Sequence, residues 1–328
     1  MKQRQPAVDP AAADAQWAGD AQRRAANADV RQLLRHARRR RHARWLAVGL
    51  VLLALAAVGT LLVRAGALDN LLGVEPATAP AAAPPPAAST TPAPMLDQAR
   101  PFAATPSADW ADGVEGIVPP PPKPVNGFSV EQVAAATALV RDVLVASRLD
   151  PRLIVDHDPA AFLDKLAPDA RRQLDPLFTG GNEPEVQSLV SLIAKDNALL
   201  PVEPKVEGTM TVSAGEAGEL VVHTNYVFVY AFAPPGPTRL VDAMNVLVVV
   251  RAEVDYVLRS GDRWTPGSQG LWYGAATGYA YSIGCEAYRQ GYLAPASTER
   301  AVTANGTRDP ATYFDPTSPL PATSGCPD

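Results

Sequence analysis

The chain has 328 residues and a net charge of −5, with 33 prolines, four histidines and two cysteines. Fourteen prolines crowd between Pro76 and Pro124, so a length that would suggest two domains at about 150 residues each supports only one, of about 200 residues. The charge is divided: residues 1–44 carry +7 and residues 65–328 carry −13. That division excludes a basic, nucleic-acid-binding body and reads as membrane topology.

Residues 1–44 are expected to form a cytoplasmic head, disordered or partly helical. Its juxtamembrane cluster is Arg35, Arg38, Arg39, Arg40, Arg41 and Arg44. No aromatic residue interleaves with these arginines, so base stacking has no support and no nucleic-acid partner is expected. Such a cluster fixes topology and touches anionic lipid. Trp45 to Val63 then runs for 19 residues without a charge. At 1.5 Å per residue this spans the ~30 Å hydrocarbon core, and the predicted transmembrane helix is 45–67. The positive-inside bias keeps the N-terminus in the cytoplasm and puts the body outside, in a single pass through the cell membrane. The alternative is a signal peptide cleaved after Ala67, but its apolar run exceeds the usual ~7–15 residues and its leading segment is too long.

Residues 68–127 read as a Pro/Ala-rich extracytoplasmic linker. Proline lacks a donor and fixes φ, so an extended spacer reaching up to about 170 Å from the membrane is predicted.

An exported α+β domain is expected over 128–296. Ser129 and Gln132 have capping-box spacing, with Phe128 as staple. Val133, Thr137, Val140 and Leu144 then recur at helical spacing up to Arg148. Asp150-Pro151 and Asp158-Pro159 look like caps followed by proline at the first helical position. Short helices are predicted over 160–166 and 170–177, and another from Glu183, with Val186, Leu189, Val190 and Ile193 on one face. After Pro204 the period falls to two. Strands are predicted around Val206–Val212, over Leu220–Phe232 and Leu240–Leu258, and over Leu271–Ile283, where Tyr273, Tyr279 and Tyr281 are assigned to one face. The expected fold class is α+β: N-terminal helices packed on a curved four-stranded antiparallel meander sheet, preceded by one transmembrane helix.

The element order, and the stretch RSGDRW from Arg259 to Trp264, resemble the cone-shaped nuclear transport factor 2-like superfamily over about residues 128–295. Ala and Arg richness and the closing CEAYRQGYLAP, Cys285 to Pro295, resemble single-pass membrane proteins of high-GC Gram-positive bacteria. The resemblance implies a cone with a cavity. Tethered members include assembly proteins of type IV secretion and conjugation machines. Fold alone does not give function.

Cys285 and Cys326 both fall on the exported side, where disulfides persist. A bond would close a 41-residue span and pin an irregular tail, 297–328. In the chain-entropy account it contributes about 4 kcal/mol. Two free thiols or an intermolecular pair are the rivals. No C-x-x-C and no neighbouring His exist, so no metal is expected, and nothing implies a cofactor.

The motifs of serine hydrolases, zinc proteases, P-loops and dinucleotide folds are absent. His157, between Asp156 and Asp158, is either a carboxylate-oriented base or an exposed residue before a helix. His223, Asn225, Arg251, Glu253 and Asp255 are candidate ligand-pocket residues: in a cone they would line the cavity, otherwise they form a solvated sheet face. The expected function is a non-enzymatic membrane protein whose exported domain is an interaction or assembly module of the cell envelope, with an envelope protein or a second copy as partner. The alternatives are a domain for a small molecule or cell-wall ligand, and an envelope enzyme.

Overall fold

In the computed structural model, which describes residues 96–234, 242–299, 311–321 and Cys326, folding starts well before Ser129. Phe102, Ser107 and Ile117 are buried. Ala111–Asp112 forms a two-residue strand, β1, antiparallel to Val206 and Lys205. Prolines stop at Pro106 and resume at Pro119. That window frees the backbone donors that proline density elsewhere removes.

Helix α1, Val130–Arg148, is capped as the sequence indicates: Gln132 N–H donates to Ser129 Oγ at 3.3 Å and Ser129 N–H to Gln132 Oε1 at 2.8 Å. Val133, Val140, Val143 and Leu144 bury its apolar stripe against the sheet. Each fully buried side chain of this size contributes roughly 1.5–3 kcal/mol. The following helices are single turns or little more: α2 Pro151–Ile154, α3 Ala160–Leu163 and α4 Pro168–Leu174. From Glu183 only a 3₁₀ turn forms, Glu183–Glu185. The reason lies in where the next amides go. Ser191 N–H donates to Ser147 O, Ile193 N–H to Ile154 O and Ala194 N–H to Leu293 O, so tertiary bonds replace the i−4 ladder.

The rest is a meander: β2 Lys205–Ala214, β3 Glu219–Ala231, β4 Leu247–Arg259 and β5 Gly270–Tyr281, in the order β1-β2-β3-β4-β5 and antiparallel throughout. One face, with Val222, Tyr226, Phe228, Tyr230, Val248, Val250 and Tyr256, packs on the helices. The opposite face, with Val227, Val229, Val249, Tyr279 and Tyr281, is covered at one end by the segment around Phe102 and by the tail around Phe314. Two short helices, α5 Cys285–Arg289 and α6 Ala311–Phe314, flank that tail. Cys285 and Cys326 are joined in a disulfide with a Cα–Cα distance of 5.3 Å.

The expected fold class therefore needs correction. The sheet has five strands, not four, and one long helix with several single turns replaces the expected layer of N-terminal helices. A two-residue strand carries no period for a sequence to show. The head, the apolar stretch Trp45–Val63 and the linker through Met95 lie outside the described residues. Among the described residues no helix is long and apolar enough to cross a membrane. A second correction concerns β5. Val254 pairs with Ala276 but Tyr256 with Tyr273, so two residues of β5 oppose Asp255 alone. This bulge reverses the alternation: Tyr273 packs toward the helices, away from Tyr279 and Tyr281.

Candidate functional site

The outer face of β3 and β4 brings all five candidate side chains together. The register places His223 opposite Asp255, Asn225 opposite Glu253, and Val227 opposite Arg251. Paired residues share a face, and so do residues two apart on one strand. His223, Asn225, Arg251, Glu253 and Asp255 therefore form one continuous row pair, extended by Thr209 and Thr211 of β2 and Thr277 of β5. This face is turned away from the helices. The helix-side interior, where a cone would hold its cavity, carries the apolar and tyrosine side chains of the main core.

His223 Nδ1 lies 2.8 Å from Asp255 Oδ1, a hydrogen bond that fixes the imidazole. Its Nε2 lies 3.6 Å from Glu253 Oε1, too far for a direct bond but close enough for attraction once the ring is charged. About a third of the His223 and Asp255 side chains is exposed. The imidazole thus sits between two carboxylates, with no nucleophile bonded to it among the described residues. Nor is any group of three His, Cys, Asp or Glu side chains there placed to hold a metal ion.

Arg251 differs from its neighbours. It is 2% exposed, and the tail is what covers it. Its Nη2 donates to the carbonyls of Pro316 at 2.8 Å and Ser318 at 2.7 Å, while Asn225 Nδ2 donates to Pro316 O at 2.9 Å. Its Nε and Nη1 meet no acceptor among the described residues. Asp315 shapes this strap by accepting from Thr317 N–H at 2.8 Å, Thr317 Oγ1 at 2.7 Å and Ser318 Oγ at 2.7 Å. Those bonds, the Thr317 hydroxyl first, pull its carboxyl down to about 2. Aromatic contacts anchor the strap: Trp110 on Phe314 at 5.9 Å and Tyr313 stacked on Tyr281 at 4.3 Å. Beside them a shallow cleft of about 360 Å³ is lined by Tyr281, Thr312 and Ser318 to Pro321.

His157 is not placed to act as a base. Its Nε2 is 2.8 Å from the carbonyl of Ile193 and its ring stacks on Tyr292 at 5.2 Å. It ties the loop after α2 to two other segments.

Two features escape sequence reading. Arg148 is fully buried without a carboxylate within salt-bridge distance among the described residues. Its Nη1 donates to Val190 O at 2.7 Å and Ser191 Oγ at 3.1 Å, and its Nη2 to Ser188 O at 2.6 Å. Burial pulls its pKa down. The available signal is position: Arg148 follows Leu144 by four residues and so lies on the apolar stripe. The tail strap is the other, and its irregular, proline-rich sequence carries no period at all.

No family model matches this chain, nor does any curated protein or solved structure. The functional reading therefore rests on its residues.

Proposed function

We propose that this chain is a non-enzymatic, single-pass membrane protein whose extracytoplasmic domain is an interaction module of an envelope assembly, working through the outer face of its sheet. The basic head, the uncharged stretch Trp45–Val63 and the proline-rich spacer support the tethered topology. One observation carries the choice of surface: Asn225 and Arg251 grip main-chain carbonyls of a proline-bearing turn, here in the chain's own tail. Side-chain donors standing on a sheet face and reading backbone carbonyls suit a polypeptide ligand. Beyond the strap the same face offers further donors and acceptors, His223, Glu253, Asp255, Thr209, Thr211 and Thr277. An imidazole held between two carboxylates, with no nucleophile bonded to it among the described residues, favours binding over catalysis.

The test compares the full chain with its Glu253→Arg variant in crosslinked native membranes. Glu253 is nearly half exposed, so the variant keeps its fold, which far-ultraviolet circular dichroism would verify. A discrete co-purifying species that falls at least fivefold in the variant is the expected result. Identical recovery from both, or nothing recovered from either, would sink the proposal.

A further inference from the structure

The second edge of interest is β2. It pairs with β3 along its whole length, but β1 covers only Lys205 and Val206 on the other side. After β1 the chain turns at Gly113, where φ is +49, and Gly116 packs against Val206, an added Cβ there lying 2.5 Å from Val206 O; the backbone that leads into Ala111 does not pair with Glu207 onward. Among the described residues nothing pairs with the outer edge of Glu207–Ala214.

The direction of the free groups follows from two bonds. Pro204 O accepts from Gly113 N–H on the β1 side, and Gly215 N–H donates to Glu219 O on the β3 side. Alternation along a strand then turns the N–H and C=O of Gly208, Met210, Val212 and Ala214 outward. Natural sheets blunt such an edge with proline, lysine, a bulge or a cover. Glu207–Ala214 has no proline and no lysine, and its pairing with β3 has no register shift. The neighbouring sequence is unsuited to cover it. The stretches Pro76–Pro106 and Pro119–Pro124 are proline-dense, and proline cannot donate to a ladder.

β2 itself suits the vacancy. We propose that β2 pairs antiparallel with β2 of a second copy, centred on Thr211, joining two five-stranded sheets into one. In this register Gly208 faces Ala214, Thr209 faces Ser213, Met210 faces Val212 and Thr211 faces its own counterpart. Every outward N–H and C=O then meets an outward partner. Hydroxyl side chains oppose hydroxyl side chains on the outer face, a favourable cross-strand pairing. The only charge in the segment, Glu207, falls opposite Gly215, so no like charges meet. The partner's β1 occupies Lys205 and Val206, so the pairing ends at Gly215, where the turn Gly215–Gly218 folds back onto its own β3. The symmetry is a two-fold, self-complementary contact, which closes at a dimer. One strand pair is a small interface, and tethering both copies to one membrane raises the effective concentration at which it forms. This deepens the assembly reading by naming one partner; it uses the backbone edge of β2, sharing only Thr209 and Thr211 with the outer-face row and leaving His223, Asn225, Arg251, Glu253 and Asp255 outside the contact.

The test is disulfide trapping of the full chain in membranes. Both native cysteines are already paired, so a single added thiol reports alone. In the proposed register Thr211→Cys opposes itself at a non-hydrogen-bonded position, with a Cα separation of about 4.5 Å, within disulfide range. Thr209→Cys alone and Ser213→Cys alone fall about four residues out of register, roughly 13 Å, but a mixture of those two variants aligns. Expected is covalent dimer from Thr211→Cys and from the mixture, at least tenfold above either single variant. No dimer from Thr211→Cys, or equal dimer from all three single variants, would overturn the pairing. If the Glu253→Arg comparison fails while Thr211→Cys crosslinks, only the outer-face reading falls; the reverse outcome removes only the dimer.

Discussion

Tyr230 and Tyr256 are two fully buried phenols that face the helices from adjacent strands, and their hydroxyls should carry opposite signs in stability. Tyr230 Oη donates to the carbonyl of Arg148 at 2.8 Å and lies 2.9 Å from Ser191 Oγ. Tyr256 Oη is buried with no hydrogen-bond partner among the described residues. Replacing each by phenylalanine keeps the ring and deletes one oxygen. Tyr230→Phe loses a bond and leaves the last carbonyl of α1 unpaired, a cost of about 2 kcal/mol from a lost bond and a stranded acceptor. Tyr256→Phe removes a desolvated hydroxyl that gains nothing in the fold, so stability is unchanged or rises by up to about 1 kcal/mol. In urea unfolding followed by tryptophan fluorescence, with m about 2 kcal/mol per M, the midpoint drops about 1 M for Tyr230→Phe and holds or rises up to about 0.5 M for Tyr256→Phe. Equal losses for the two variants would refute the hydrogen-bond accounting of this core.

Burial, acting first, pushes the phenols of Tyr226, Tyr230 and Tyr256 up to about 12 from an ordinary 10.0. All three are neutral in both states below 10.0, so stability is intact there. Above 10.0 the unfolded chain releases protons that the folded one holds, and stability falls until about 12; an alkaline titration should show these phenolates appearing only with loss of circular dichroism. Gly291 sits at φ +89, and an added Cβ would lie 2.5 Å from Glu183 C and 2.6 Å from Pro184 N. Both contacts are backbone, so Gly291→Ala should cost about 3 kcal/mol from left-handed strain and overpacking together, read as a lower urea midpoint. Cys326→Ser opens the 41-residue span and should cost up to about 4 kcal/mol, with faster hydrogen exchange at Thr317 as the strap loosens.

The sequence-level reading succeeds where side-chain period is strong. The α1 stripe, its capping box, and the long alternations of β3 and β4 are all legible, and the parity of β3 and β4 correctly puts His223, Asn225, Arg251, Glu253 and Asp255 on shared faces. It fails where bonds are made at a distance. Val186 to Ile193 have a helical apolar pattern, yet the helical bonding stops at Val190, and the amides of Ser191, Ile193 and Ala194 go to the carbonyls of Ser147, Ile154 and Leu293. The β5 bulge moves Tyr273 to the other face because one extra residue resets the alternation. β1 is too short to signal, and the Pro316–Ser318 strap is recognised only through its carbonyls. Alternation also cannot say which face meets the helices. The candidate row lies on the face opposite them, held open beyond the strap.

The most direct test of the outer face as a working surface is site-specific photocrosslinking of the full chain in its native membrane. A photoreactive residue at Thr277, exposed on that face, is compared with one at Ala138, exposed on α1. Thr277 lies three strands from the β2 edge, so its products do not report strand pairing between copies. The account predicts a discrete, reproducible adduct from position 277 and none from 138. An adduct from 138 alone, or none from 277, would contradict it.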